Sequence, residues 1–297
     1  MGLKKMGKGG KGMTGIRRAA RIDRSAKGAH AVPGPGRAGG SRGGPTTQCG
    51  SGRRWAGRLV AVGVIFVSLV LSWHALAKLD FLYPVWYSAL GIEDHVTHYG
   101  ARNRQGRHDF VLTEPVEHRR LFGAIVEGIH GRGTPLDQLV YRDRDGGVLG
   151  TFLRADEVGH LRDVAALVEK LLIAGWSITA VTVILVLLHG RRGVCLPTLV
   201  RAMLGYGILV VLAGAVVGLV GPQEVFDELH EWIFASGHPW FFYYEDSLMT
   251  TVMKAPDIFA AIAATWLVLH LIVYALLLAG LRRLANVWKF SHPAEQS

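Results

Sequence analysis

Phe226–Phe259 reads FDELHEWIFASGHPWFFYYEDSLMTTVMKAPDIF. It lies between two apolar runs, each close to the roughly 20 residues needed to cross a bilayer core. Phe226, His230 and Phe234 are spaced i, i+4, i+8 and share one helix face, with Asp227 and Glu231 alongside. His238-Pro239 ends that helix, and Trp240–Tyr244 is an aromatic belt. The stretch predicts an amphipathic helix lying in a membrane interface.

Moving outward, four apolar runs frame the chain. The expected organisation is a disordered, basic, Gly-rich cytoplasmic tail over 1–58 and a first span over 59–77. A cap follows over 78–155, then a lead-in helix continuous with a second span over 156–188, and a third span over 197–220. An interfacial segment over 221–256, a fourth span over 257–281 and a short tail over 282–297 complete it. The fold class is an all-α membrane protein with four transmembrane helices. A composition that is 50% hydrophobic, with mean hydropathy +0.27, fits it.

The net charge of +10 is unevenly spread: residues 1–58 hold 14 of the 33 Lys and Arg and one acid, Asp23. The excess is therefore a property of the tail and does not indicate a nucleic-acid-binding fold. Positive charge also sets orientation. Arg53, Arg54 and Arg58, then Arg191 and Arg192, then Arg282, Arg283 and Lys289 mark three cytoplasmic segments. Gln223–Pro256, with six acids and one Lys, falls outside, as does the long first loop. Cys49 and Cys195 both fall on the cytoplasmic side, where a structural disulfide is not expected.

Within the first loop, Asp80–Leu90 is aromatic and suits the membrane surface, and Glu114–Ile129 suits an amphipathic helix. Leu139–Phe152 suits a hairpin about Asp145-Gly146-Gly147. His95, His98, His108, His118 and His130 have no metal-ligand spacing and read as surface histidines. Gly214 and Gly218 in the third span form a Gly-x-x-x-Gly pair suited to close helix packing.

A second histidine stretch precedes the second span. Asp156–Val164 reads DEVGHLRDV, acidic at its start as a helix N-terminus favours. Asp156, Glu157 and Asp163 lie at i−4, i−3 and i+3 from His160, where a carboxylate can fix an imidazole tautomer. Taken alone, the His160 stretch also reads as a helix start with interfacial charges, and the His230 stretch as an amphipathic linker whose histidine tolerates the interface. Phosphate-cradling Gly loops, a Gly-x-Ser-x-Gly elbow and a His-Glu-x-x-His motif are absent from the sequence. The histidines within the spans (His74, His189, His270) sit at different depths, which argues against a haem pair.

Phe226-x-x-x-His230-x-x-x-Phe234, Trp240, Glu245–Met249 and Pro256-x-x-Phe259, together with Glu157–Val164, resemble the two signatures of the bacterial lipoprotein intramolecular transacylase (Lit) family. The chain departs from that pattern at Leu229 and at the tyrosines before Glu245. The resemblance implies an enzyme of the bacterial cytoplasmic membrane, both termini inside and the site facing outward. It would move the sn-2 acyl chain of a diacylglyceryl cysteine to the lipoprotein α-amine, giving the lyso form. It implies His160 and His230 as the catalytic pair, with no cofactor and no metal. Partners would be diacylglyceryl-modified lipoproteins and membrane lipids, not nucleic acid. Glu157 and Asp163 would orient His160, Asp246 would orient His230, and Trp240, Tyr243, Tyr244 or a backbone N–H could steady an oxyanion. Two alternatives stand beside it: a metal-dependent membrane hydrolase using His160, His230, Glu157 and Asp246 as ligands, and a non-catalytic scaffold or accessory subunit.

Overall fold

The structure, a computed structural model, describes residues 50–190, 195–234 and 239–291, without the side chains of 189–190, 222 and 288–291. The basic tail up to Cys49, Arg191, Arg192 and His238 lie outside the described residues.

Among the described residues, four helices are long and apolar enough to cross a membrane: α1 (Ser51–Ala77), α5 (Ala155–Gly190), α6 (Leu199–Val220) and α9 (Asp257–Ser291). Between α1 and α5 lies an insert of α2 (Tyr83–Ala89), α3 (Ile92–Gly100), α4 (Pro115–Ile129) and a hairpin, β1 (Val140–Arg142) and β2 (Val148–Thr151). Between α6 and α9 lie α7 (Pro222–Ile233) and α8 (Leu248–Met253).

Several boundaries differ from the sequence reading. α1 starts at Ser51, so Ser51–Arg58, read as tail, is helical. Helix formation needs only backbone hydrogen bonds, and the arginines there do not oppose it. α9 likewise runs past Leu281, and the Arg282 guanidinium donates to the Pro197 and Leu196 carbonyls at the start of α6. α8 was not anticipated; its six residues are too few to show a period. Ser247 caps it, its hydroxyl accepting from the Thr250 amide at 3.0 Å.

α1 packs against α9, and against α5 through small residues. A Cβ added at Gly63 would stand 2.2 Å from Thr182 Oγ1, and one at Gly175 2.4 Å from Val70 Cγ2. These two glycines let the backbones of α1 and α5 approach. The pair expected to do so, Gly214 and Gly218, has nothing within 4 Å; a small-residue spacing offers a face, and the tertiary fold leaves this one unused. A Cβ at Gly57 would meet the Cys195 carbonyl at 2.1 Å, so the start of α1 abuts the segment entering α6. Cys195 is disulfide-bonded, contrary to the expected thiol; charge-based topology had no information on this approach of chain segments.

The main core is built where the insert meets the outer ends of α5, α8 and α9. Tyr83, Phe110, Leu121, Tyr141, Phe152, Leu248 and Ile258 are among its buried side chains. Tyr83 stacks on Phe122 (4.0 Å between ring centroids), and its hydroxyl donates to the Val252 carbonyl. Tyr83 and Tyr87 are therefore core residues rather than a surface aromatic belt, because α2 turns back onto α4 through three consecutive left-handed residues, Asp80, Phe81 and Leu82. His118 is also buried, between the Tyr87 hydroxyl (2.8 Å) and the Thr113 hydroxyl (2.7 Å). His130 accepts from the Trp73 indole at 3.0 Å. These two are not surface histidines: each lies on a face of α4 or at its end that the sequence pattern alone could not orient.

The segment before α9 is stitched to the insert. The Arg104 amide donates to the Glu245 carbonyl, Arg154 Nη1 to the Asp246 carbonyl, and Lys254 Nζ to the Leu90 carbonyl. This seam fixes one wall of the site.

Candidate active site

His160 lies on the second turn of α5 and is buried, about 9% exposed. His230 lies near the C-terminal end of α7 and is half-buried. Their ring centroids are 6.4 Å apart although 70 positions separate them in the chain, 230 − 160. Both rings can therefore reach a single small reacting group.

Aromatic side chains hold the two imidazoles. Phe226 lies 3.9 Å from the His230 ring, and Trp240 and Phe234 lie 5.0 and 5.4 Å from it. Phe234 also meets the His160 ring edge-on at 5.2 Å, and Phe242 stands 6.1 Å from it. The i, i+4, i+8 face noted in the sequence thus packs toward His160. Phe242, buried, was not singled out there; its only signal was its place in the run Trp240–Tyr244.

His230 Nδ1 is 2.8 Å from the Phe226 carbonyl oxygen, one turn back. A carbonyl can only accept, so Nδ1 carries the proton and Nε2 of the neutral ring is left as the basic nitrogen. Asp246 was expected to hold this ring. Its carboxylate instead accepts from Arg104 at 3.1 and 2.7 Å and from Gln105 at 3.3 Å, so it belongs to the seam. Backbone supply of an acceptor to Nδ1 makes a carboxylate there unnecessary.

Glu157 is also differently employed. Its side chain is fully buried, and Oε2 accepts from the Arg154 amide at 2.6 Å. It stands three residues into the helix and reaches back over the N-terminus, the acceptor half of a capping box. Burial raises its pKa from 4.5, while the neighbouring Ser247 hydroxyl and Arg154 hold it back. Asp163 is half-buried on α5. The Tyr244 hydroxyl donates to the Ala255 carbonyl, and its ring packs on His95 and Tyr99 at 4.4 and 4.8 Å. Burial raises its pKa further from acidity. Tyr244 thus braces the wall, and its hydroxyl is already committed.

Both histidines line a cavity of about 520 Å3. Its wall comes from α4, α5, α7, α8, the Trp240–Glu245 segment and the first turn of α9, and is mostly aromatic and aliphatic. That size and apolarity suit a small organic ligand or the ester region of a lipid. Among the described residues no three His, Cys, Asp or Glu side chains are placed to share a metal ion. Of the four ligands a metal hydrolase would use, Glu157 turns to its own helix end and Asp246 to Arg104.

No family profile matches the sequence, and no curated protein matches it. In fold the chain is similar to the membrane-integral lipoprotein intramolecular transacylase Lit from Bacillus cereus, solved in meso with a His-to-Arg substitution. The likeness covers 81% of this chain and 95% of that one, with TM-score 0.54 and 16% sequence identity. The two proteins share a helical membrane fold.

Proposed function

We propose that this protein is an acyltransferase of the bacterial membrane that carries out the intramolecular lipoprotein transacylation outlined above. The observation that carries the proposal is the convergence of His160 and His230, from two separate helices, on one apolar cavity. The fold likeness to a transacylase supports the same reading.

The substrate is a diacylglyceryl cysteine with a free α-amine. His230, with Nδ1–H held by the Phe226 carbonyl, takes a proton from the attacking amine at Nε2. The amine nitrogen bonds to the sn-2 ester carbonyl carbon. As the tetrahedral adduct collapses, the C–O bond to glycerol breaks and that oxygen takes a proton from His160. The products are an N-acyl amide and a glycerol hydroxyl; no co-reactant is consumed. Donor and acceptor belong to one molecule, so holding them together can supply on the order of 7–11 kcal/mol of the acceleration. Trp240 and Phe226 hold the His230 ring, and the acyl chain lies against the apolar wall. The acid-rich flanks of α7 against the Arg-rich ends of α1 and α9 support a site facing outward with both termini inside.

The test compares wild type, His160→Ala and His230→Ala in a bacterium that makes diacylated lipoproteins. The total mass of the lipoprotein N-terminal peptide does not change on transfer, so fragment ions decide. N-acyl cysteine with a monoacylglyceryl thioether should appear with wild type and fall by at least about 100-fold in each variant. A free α-amine with all three, at equal expression, would remove the proposal. Product from wild type and both variants alike would remove the two histidines from it.

A further inference from the structure

The polar cluster within the spans has no part in the chemistry above. His270 on α9 and Ser68 and Ser72 on α1 are fully buried. His270 Nδ1 is 3.0 Å from the Ser68 hydroxyl, and Nε2 is 2.7 Å from the Tyr206 hydroxyl on α6. The Ser72 hydroxyl donates to the Ser68 carbonyl at 2.7 Å and lies 3.0 Å from the Trp266 indole nitrogen. An ionisable side chain at this depth is costly to keep unless it does something.

What it touches is the only well-held part of α6. This helix buries no residue. Its first two turns, Leu199, Ala202, Met203 and Tyr206, pack on α1 and α9 beside Tyr274. From Val211 to Val220 every residue is exposed. The helix is thus clamped at one end and exposed at the other. The exposed end passes through a single residue, Gly221 at φ 109°, into α7 and so to His230.

We propose that His270 is a positioning residue for His230, acting through the Tyr206 hydroxyl. The bond sets the rotation and tilt of α6 at the clamp, and α6 carries α7 to the cavity. From Tyr206 to Val220 the lever is about 21 Å long at 1.5 Å per residue. A tilt of about 3° at the clamp displaces its far end by about 1 Å, and misplacement of that size can cost about 100-fold in rate. The catalytic part of this inference rests on the assignment of His230 above; the mechanical part does not.

The test is hydrogen exchange on the full chain in lipid nanodiscs, with Tyr206→Phe, His270→Ala and His270→Gln. Tyr206→Phe keeps the ring packing and removes only the bond. Interhelical hydrogen bonds in membranes average under 1 kcal/mol and reach about 2, so amides of α7 should exchange roughly threefold to twentyfold faster. Amides at the start of α5, beside His160, should not change. His270→Gln, which keeps a polar group near Nε2, should restore much of the protection. In lipoprotein N-acylation, kcat should fall in Tyr206→Phe with KM little changed. Unchanged exchange in α7, or an equal rise in α5, overturns the clamp. Faster α7 exchange with wild-type kcat overturns the positioning role. Should wild type itself form no N-acyl product, the transacylase reading falls while the exchange result still decides the clamp.

Discussion

Glu157 separates two accounts of this site. The sequence places it three residues before His160, where it would orient the imidazole; the structure gives it to the Arg154 amide inside a fully buried environment. Replacing it with Ala removes the acceptor from a partly buried amide, a cap loss of about 0.5–2 kcal/mol, and leaves a void besides. Glu157→Ala should therefore lower the thermal unfolding midpoint clearly. Glu157→Gln keeps an acceptor for Arg154 and should cost little. The sign of its pH dependence follows from burial, which raises the carboxyl pKa above 4.5. The folded state then holds its proton more tightly than the unfolded chain. Below pH 4.5 both states are protonated, so the group adds no pH dependence and its stabilisation is fully present. As pH rises through 4.5 toward the folded value, the unfolded chain loses its proton first and stability declines. Wild type should thus lose stability across that window relative to Glu157→Gln, and the two unfolding curves should diverge as pH rises. The assay is thermal unfolding in detergent from pH 4 to 8, paired with N-acylation kinetics. A Glu157→Gln protein with wild-type stability but kcat down 10- to 100-fold would show that the carboxylate serves His160 and would refute the capping argument.

Asp246→Asn tests the seam in the same way: its partner Arg104 is 59% exposed, so breaking the pair should cost only about 0.5 kcal/mol and leave the pH profile of kcat unshifted. A shifted profile would return Asp246 to His230. Gly175→Val should separate α1 from α5, since even a Cβ there meets Val70 at 2.4 Å; a loss of about 1–3 kcal/mol in unfolding is expected, against almost none for Gly214→Val, which has open space. Burial pushes His118 down to about pKa 4. Above pH 6.5 it is neutral folded or unfolded and contributes no pH dependence. Between 6.5 and 4 the unfolded chain gains its proton first, so stability should fall by on the order of 3 kcal/mol, and His118→Asn should flatten that slope.

Much of the architecture is local and hence legible in the sequence. The four membrane helices follow from uninterrupted apolar length, α4 from its 3.6-residue period with proline at its start, and the β1–β2 hairpin from alternation about Asp145-Gly146-Gly147. Each depends on residues within one element, so composition and period carry the information. The two histidine stretches were visible for the same reason: His160 sits among acids at a helix start, and His230 on a Phe-x-x-x-His-x-x-x-Phe face. Which partners those residues choose is another matter. Glu157 turned to the Arg154 amide, Asp246 to Arg104, and His230 to the carbonyl of Phe226, because burial and the approach of distant segments settle competition among several near neighbours in the chain. The glycines show it most plainly. Gly214 and Gly218 had the spacing for a helix contact, and Gly63 and Gly175 have the contact, because close packing requires two surfaces and a sequence presents only one at a time.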